Sequence, residues 1–150
     1  MTEVLFYQLQ RQPIEKVLPI LLEKSLERGW RVTVQSSSEE RIEALDALLW
    51  TYRDDSFLPH GTYKESSAVD QPILLTVHGD NPNRAAVRFL IDGSPMPTDA
   101  AAYDRVVLLF DGEDPDALED ARHRWRDAKG LGLSVTYWQA DERGRWQRKA

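Results

Sequence analysis

The sequence predicts an α/β fold in which a mostly parallel sheet is flanked by helices. The 150 residues are 41% hydrophobic, which is enough to form one core without disulfide or metal links. Short apolar segments alternate with segments whose apolar residues recur every three or four positions, as is typical of strands and helices. The order strand, helix, strand, helix at the start favours parallel strands joined by helical crossovers.

The first half supplies the clearest elements. Residues 3–9 form a short apolar and aromatic segment of strand length, and the leucines that follow Ile14 have helical spacing up to Gly29. Pro19 removes a backbone donor, so this helix is expected to start late or to bend. Residues 30–35 alternate and are rich in β-branched side chains, which indicates a second strand. A second helix follows, with Ser36 to Ser38 and Glu39 to Glu40 as a capping box and Ile42, Leu45, Leu48, Leu49 and Tyr52 on its inner face.

The second half continues the pattern. Asp114 and Pro115 suit the cap and first turn of a third helix, which the glycines at 130 and 132 end. Nothing repeats and no linker-like segment divides the chain, so we expect one Rossmann-like domain over residues 1–150 with a polar, basic tail at about 141–150. Further strands are predicted at 73–78, 86–91, 105–110 and 133–138.

Charge and composition exclude several classes of protein. A formal net charge of -6 argues against a protein that grips a phosphate backbone directly. The absence of cysteine excludes disulfides, thiolate zinc sites and cysteine nucleophiles. Residues 1–9 hold no basic residue, and their apolar stretch is too short for a signal peptide or a membrane span, so we expect a soluble cytoplasmic protein.

Markers of catalysis and of cofactor binding are weak. The first strand-to-helix turn, residues 10–13, has no glycine, and the chain contains no GxGxxG, GxxxxGK[ST] or GxSxG motif. His60, His78 and His123 lie far apart in the sequence, at spacings that do not favour metal binding. Asp54 and Asp55 could join His60 in a metal or acid–base cluster, but paired aspartates after a helix are more often a solvated loop. We therefore predict no catalytic residues, no metal site and no cofactor.

Aromatic residues crowd the end of the second helix and the loop after it. Trp50, Tyr52, Phe57 and Leu58 lie where a purely solvated connection would be polar. They form either a loop folded over its own core or a protein-binding surface, since tryptophan and tyrosine dominate interface hot spots. The residues alone leave the two alternatives about equal.

A cationic face on the third helix is the second unusual feature. Arg122, Trp125, Arg126 and Lys129 have the spacing of one helical face, although the protein is acidic overall. Such a face suits an acidic peptide that ends in an apolar residue, because arginine binds carboxylates and an aromatic side chain lines the neighbouring pocket. In the alternative, the arginines are solvated charges that face Asp116, Glu119 and Asp120, and the helix buries a stripe made of Leu118, Ala121, Trp125 and Ala128.

The segment LLWTYRDDSFLPHG closely resembles the signature of the DNA polymerase III chi subunit family. In that signature a Leu-Trp pair ends the second helix, and a short loop leads to an S-F-x-P-H motif, here Leu49, Trp50, Ser56, Phe57, Pro59 and His60. The segments VLFYQL, GWRV and ARHRWRDAKGLG also fit the family in order and spacing. The resemblance implies a non-catalytic accessory subunit that links the clamp-loader complex to single-stranded DNA-binding protein.

The resemblance also implies where the partners bind. The acidic, phenylalanine-terminated tail of single-stranded DNA-binding protein would contact Arg122, Trp125 and Arg126, with Lys129 beside them, and the psi subunit would contact Trp50, Phe57, Leu58 and Pro59. The chain departs from some relatives in having Trp125 and Arg126 where they have tyrosine and lysine. A basic tail with Arg143, Arg145, Arg148 and Lys149 also extends past the core. The alternatives are a small nucleotide-processing enzyme and a protein that binds single-stranded DNA directly.

Overall fold

A mixed sheet with helices on both faces organises the protein. The computed structural model describes residues 2–10, 12–52, 58–141 and 143–150. The helices are α1 (Ile14–Glu27), α2 (Glu39–Trp50) and α3 (Pro115–Gly130), with short 3-10 turns at Ala68–Asp70 and Ala100–Ala102. The strands are β1 (Glu3–Leu9), β2 (Val32–Gln35), β3 (His60–Thr62), β4 (Ile73–Thr76), β5 (Val87–Leu90), β6 (Arg105–Asp111), β7 (Ser134–Ala140) and β8 (Trp146–Arg148).

The strand order confirms the predicted α/β class. Within the described residues the sheet runs β3-β4-β2-β5-β6-β1-β7-β8, and every pair is parallel except β7 with β8. The first strand lies inside the sheet, where Glu3 pairs with Arg105 on one side and with Ser134 on the other. Because helical crossovers cover both faces, the central strands are buried on both sides, as parallel sheets require.

One face of the sheet is covered by α1 and α2. Helix α1 begins at Ile14 and continues through the buried Pro19, so it does not start late. It ends in a Schellman motif, in which the N–H of Trp30 bonds Ser25 O at 3.1 Å and Gly29 has φ +80°. Helix α2 begins at Ser38, whose hydroxyl accepts a hydrogen bond from the N–H of Arg41 at 3.2 Å, as the predicted cap requires. Its buried side chains are Ile42, Leu45 and Leu49.

Helix α3 covers the other face. The carboxylate of Asp114 accepts hydrogen bonds from the N–H groups of Asp116 and Ala117 at 3.0 and 3.4 Å, so the predicted cap is confirmed. Ala121 and Ala128 are buried against a second apolar cluster that contains Phe6. Small side chains at these two positions let the helix approach the sheet closely.

Two edge strands were not predicted. Strand β3 has three residues beside β4, and β8 pairs antiparallel with β7 inside the segment that the sequence marks as a polar tail. Trp146 explains β8, because its ring lies 4.7 Å from that of Tyr7 and joins the α1 side of the core.

Among the described residues, none of the helices has the length and apolar character that crossing a bilayer requires.

Candidate protein-binding surfaces

Trp125 forms the centre of the cationic face on α3. Its ring is half-buried and lies 5.6 Å from Phe6 and 5.8 Å from Tyr137, both in edge-on contact. The Nζ atom of Lys129 lies 5.1 Å from the centre of the same ring, within the range of a cation–π contact. Trp125 therefore belongs partly to the core and partly to the surface.

Three cations lie within about one helical turn of Trp125 on α3. Arg122, Arg126 and Lys129 are exposed, and within the part of the chain that the structure describes none of them forms an ion pair with a carboxylate. Arg124 differs, because it pairs with Asp120 at 3.1 Å and donates to the carbonyl oxygens of Gly93 and Ser94. It anchors the loop after β5 rather than joining the face.

Tyr137 extends the cationic face onto the sheet. Its hydroxyl donates to Oε1 of Gln8, and burial raises its pKa, while the positive charge of Arg122 partly opposes that rise. The N–H of Lys149 bonds Tyr137 O at 2.7 Å, which places these two residues opposite each other across β7 and β8. Paired residues of antiparallel strands point to the same side, so the Lys149 side chain lies on the α3 side of the sheet. We name Arg122, Trp125, Arg126, Lys129 and Tyr137 the α3 surface.

The two alternatives for α3 prove compatible. Ala121 and Ala128 are buried and Leu118 and Trp125 are half-buried, so a packed stripe exists. The arginines beside that stripe leave their charged groups in solvent, next to a partly open ring. Sequence reasoning missed Tyr137 and Phe6, which only strand pairing brings beneath the helix.

Trp50 dominates the second unusual region. It is the last residue of α2 and is 59% exposed, which is unusual for a tryptophan. Pro59 is half-buried, whereas Leu58 is 2% exposed and packs in the core, so Leu58 anchors the segment and offers little area to a partner. Phe57 lies outside the described residues. We name Trp50 and Pro59, together with the buried Leu58 that precedes Pro59, the Trp50 surface.

His60 supports the Trp50 surface from below. Its side chain is buried, and its ring lies 4.7 Å from that of Trp50. Nδ1 lies 2.7 Å from Leu58 O, and Nε2 lies 3.0 Å from Oδ1 of Asp46 and 3.2 Å from its carbonyl oxygen. The sequence analysis considered a metal or acid–base cluster of His60 with Asp54 and Asp55, but these two aspartates lie outside the described ranges. Within those ranges no three acidic or histidine side chains are placed to hold a metal ion.

Comparison with known proteins agrees with the resemblance carried by residues 49–60. A family profile described as DNA polymerase III chi subunit, HolC matches residues 1–136. The chain is also similar to the probable DNA polymerase III subunit chi of Rickettsia prowazekii (strain Madrid E), with 30% identity over 74% of this chain and 71% of the relative. The chain therefore belongs to the DNA polymerase III chi subunit family, which gives it the general role of an accessory protein of DNA replication.

Proposed function

We propose that this protein is a non-catalytic adaptor that links the clamp-loader complex to single-stranded DNA-binding protein. The observation that carries the proposal is the α3 surface, where Arg122, Arg126 and Lys129 have no carboxylate partner among the described residues and lie within about one helical turn of the half-buried Trp125. In a protein with net charge -6, such a cluster favours a local acidic ligand.

The arrangement suits the acidic, phenylalanine-terminated tail of single-stranded DNA-binding protein. Arg122 and Arg126 are one turn apart, so their guanidinium groups can bind the terminal carboxylate and a nearby aspartate. The terminal phenyl ring would pack beside Trp125, in the manner of the aromatic pairs that this ring already forms with Phe6 and Tyr137. Lys149, which follows β8, would extend the positive potential beyond the helix.

Isothermal titration with a peptide that copies the tail tests this proposal, with a second peptide that lacks the final phenylalanine. Arg126→Glu should weaken binding of the full peptide about tenfold or more, since a charge reversal replaces an attraction by a repulsion. Lys16→Glu is the matched control, because Lys16 is an exposed cation on α1, on the opposite face of the sheet. Equal binding of both peptides, or an equal loss in both variants, would contradict the proposal.

We also propose that the Trp50 surface binds the psi subunit. Tryptophan dominates interface hot spots, and Trp50 is exposed at a helix end with its ring against that of the buried His60, which the half-buried Pro59 precedes. Trp50→Ala should abolish co-purification with psi and leave tail binding unchanged. Val69→Ala provides the control, because Val69 is 53% exposed and lies elsewhere. Loss of tail binding in Trp50→Ala would argue against two separate surfaces.

Direct binding of single-stranded DNA is a second candidate, favoured by the exposed cations Arg143, Arg148 and Lys149 on the β7–β8 hairpin. A labelled oligonucleotide distinguishes it from the adaptor function. If the protein contacts a few phosphates, the logarithm of its binding constant should fall linearly with the logarithm of the salt concentration. The slope should be about 0.7 for each phosphate contacted. Absence of binding at low salt would remove this candidate.

A further inference from the structure

The outer side of β8 is a free edge of the sheet. Strand β8 is the last in the strand order, and its inner side pairs with β7. The N–H of Lys149 bonds Tyr137 O at 2.7 Å, so Lys149 directs its backbone N–H toward β7. Because these directions alternate along an antiparallel pair, Trp146 and Arg148 direct their N–H and C=O groups away from the sheet.

The opposite edge of the sheet, at β3, is capped by one of its own side chains. The N–H of Tyr63 bonds a carbonyl oxygen of β4 at 2.9 Å, so the N–H of Thr62 points away from β4. That outward N–H donates to Oε2 of Glu65 at 2.7 Å. On β8, no side chain among the described residues accepts a hydrogen bond from the N–H of Trp146 or Arg148. One edge is therefore capped, and the other is open to a further strand.

Strand β8 is held in place by contacts on its inner side and in the turn before it. The ring of Trp146 lies 4.7 Å from that of Tyr7. In the turn, Oδ1 of Asp141 accepts hydrogen bonds from the N–H groups of Arg143 and Arg145, both at 2.9 Å. A preformed edge costs a partner less ordering free energy than a loop would.

Cations flank the open edge. Arg143, Arg148 and Lys149 are exposed and form no ion pair with a carboxylate in the part of the chain that the structure describes, and Arg145 lies 3.5 Å from Asp141. Positive side chains repel the same edge of a second copy, which is one way in which proteins prevent edge-to-edge association. They favour an incoming strand that carries carboxylates, because opposite charges on paired strands stabilise the pairing.

We propose that β8 binds an extended acidic segment of a protein partner as a further strand of the sheet. The outward backbone groups of Trp146 and Arg148 supply the hydrogen bonds of the new pair. Successive side chains of a strand lie on opposite faces, so the Arg148 side chain meets acidic groups on the α1 side and Lys149 meets them on the α3 side. Recognition by this edge requires neither a terminal carboxylate nor a phenyl ring, so it is independent of tail binding at the α3 surface.

The first test uses nuclear magnetic resonance of the full-length protein with an end-blocked peptide of alternating glutamate and valine. The amides of Trp146 and Arg148 should shift in a saturable way. Two further peptides carry N-methyl groups, one on every glutamate and the other on every valine. Since only one of these alternating sets directs its N–H groups toward β8, one methylated peptide should bind about tenfold more weakly than the other. Equal binding of the two methylated peptides would overturn the proposal.

The second test changes the edge itself. Arg148→Pro removes the outward N–H but no hydrogen bond to β7, because proline is tolerated where the N–H of an edge strand faces solvent. Arg148→Ala is the matched control, since it removes the same charge and keeps the N–H. The proline variant should bind the unmethylated peptide about fivefold more weakly than the alanine variant. The Trp146 indole resonance reports whether β8 stays paired in both variants, and equal binding by the two would contradict a backbone contact.

Charge and the identity of the occupant are tested last. Arg148→Gln with Lys149→Gln should weaken the glutamate peptide about fivefold, since each pair of opposite charges across strands contributes to stability. Lys16→Gln with Lys24→Gln, which removes two exposed cations from α1, should not. An equal effect of the two double variants would overturn the proposal. So would loss of the β8 shifts in Arg126→Glu, which would place the peptide on the α3 surface, self-association of the protein through β8, or displacement of the peptide by a single-stranded oligonucleotide.

Discussion

Nε2 of His60 lies 3.0 Å from Oδ1 of Asp46, and this contact joins the third turn of α2 to the start of β3. The other ring nitrogen lies 2.7 Å from Leu58 O, so a buried imidazole meets hydrogen-bond acceptors at both nitrogens. This arrangement fixes both ends of the loop below Trp50.

Replacement of this histidine should destabilise the protein. His60→Leu has similar volume but leaves Leu58 O without its donor, at a cost of about 1 to 3 kcal/mol in the free energy of unfolding. Urea denaturation followed by circular dichroism measures the change. His123→Leu serves as the control, because His123 is exposed on α3 and its loss should alter stability by no more than about 0.5 kcal/mol. Equal effects of the two substitutions would refute the bracing role.

The two aspects of Trp125 predict two separable effects. Trp125→Ala removes the contacts with Phe6 and Tyr137 and should lower the free energy of unfolding by about 2 kcal/mol, less than for a fully buried ring. Arg126→Ala removes an exposed charge and should change it by no more than about 0.5 kcal/mol. Thermal and chemical denaturation of the two variants and of the unmodified protein measure these changes in the free energy of unfolding. A comparable loss of stability in Arg126→Ala would assign that arginine to the fold.

The electrostatic contact between Arg122 and Tyr137 has its own signature. Burial raises the pKa of Tyr137, and the charge of Arg122 opposes this rise, so Arg122→Ala should move the pKa of Tyr137 further upward. Titration of the tyrosine Cζ resonance above neutral pH reads the change directly. Lys16→Ala should leave that pKa where it is, and an unchanged pKa in Arg122→Ala would place the guanidinium away from the ring.

Acid should loosen the β7–β8 turn. The pKa of Asp141 is lowered, chiefly by the hydrogen bond from the N–H of Arg145 and also by that from Arg143, both at 2.9 Å to Oδ1. A carboxyl group whose folded pKa is depressed stabilises above its unfolded pKa, and this contribution disappears as pH falls through the folded pKa. Amide exchange at Arg143 and Arg145 should therefore accelerate at low pH beyond the intrinsic trend, and Asp141→Asn should remove that excess. An excess that persists in the variant would identify another acidic group as its source.

Tail binding, if it follows the adaptor proposal, should respond to salt. The cations of the α3 surface are exposed, and the Debye length contracts from about 10 Å at 0.1 M to about 3 Å at 1 M salt. Affinity for the acidic tail peptide should therefore fall steadily as sodium chloride is added, while the contribution of the terminal phenyl ring remains. Titrations at several salt concentrations test this, and an affinity independent of salt would contradict ionic recognition.

Local signals in the sequence were sufficient for most of the sheet and for all three helices. Ser38 and Asp114 are caps that act within a few residues of themselves, and Gly29 ends α1 through its own positive φ. The strand β8 was beyond such signals, because three mostly polar residues become a strand only when Trp146 reaches Tyr7 from the far end of the chain. Tertiary packing decides elements of this kind.

The candidate surfaces also combine features that local sequence determines with features that tertiary packing determines. Helical spacing alone grouped Arg122, Trp125, Arg126 and Lys129, since a helix fixes which side chains are neighbours. The contribution of Tyr137 depends on the pairing of β1 with β7, which the sequence does not encode locally. The sequence left two alternatives for Leu58, burial under its own loop or a place on a binding surface, and packing against the core decided in favour of burial.

The position of β1 in the sheet has a consequence for synthesis on the ribosome. Of the described strands it is synthesised before all the others, and its two neighbours among them are β6 and β7, whose residues begin at Arg105 and Ser134. The apolar segment that starts at Val4 therefore stays without its native partners until the residues after Arg105 have emerged. Contacts so distant in sequence slow folding, and the delay leaves an aggregation-prone strand exposed to chaperones and to neighbouring nascent chains.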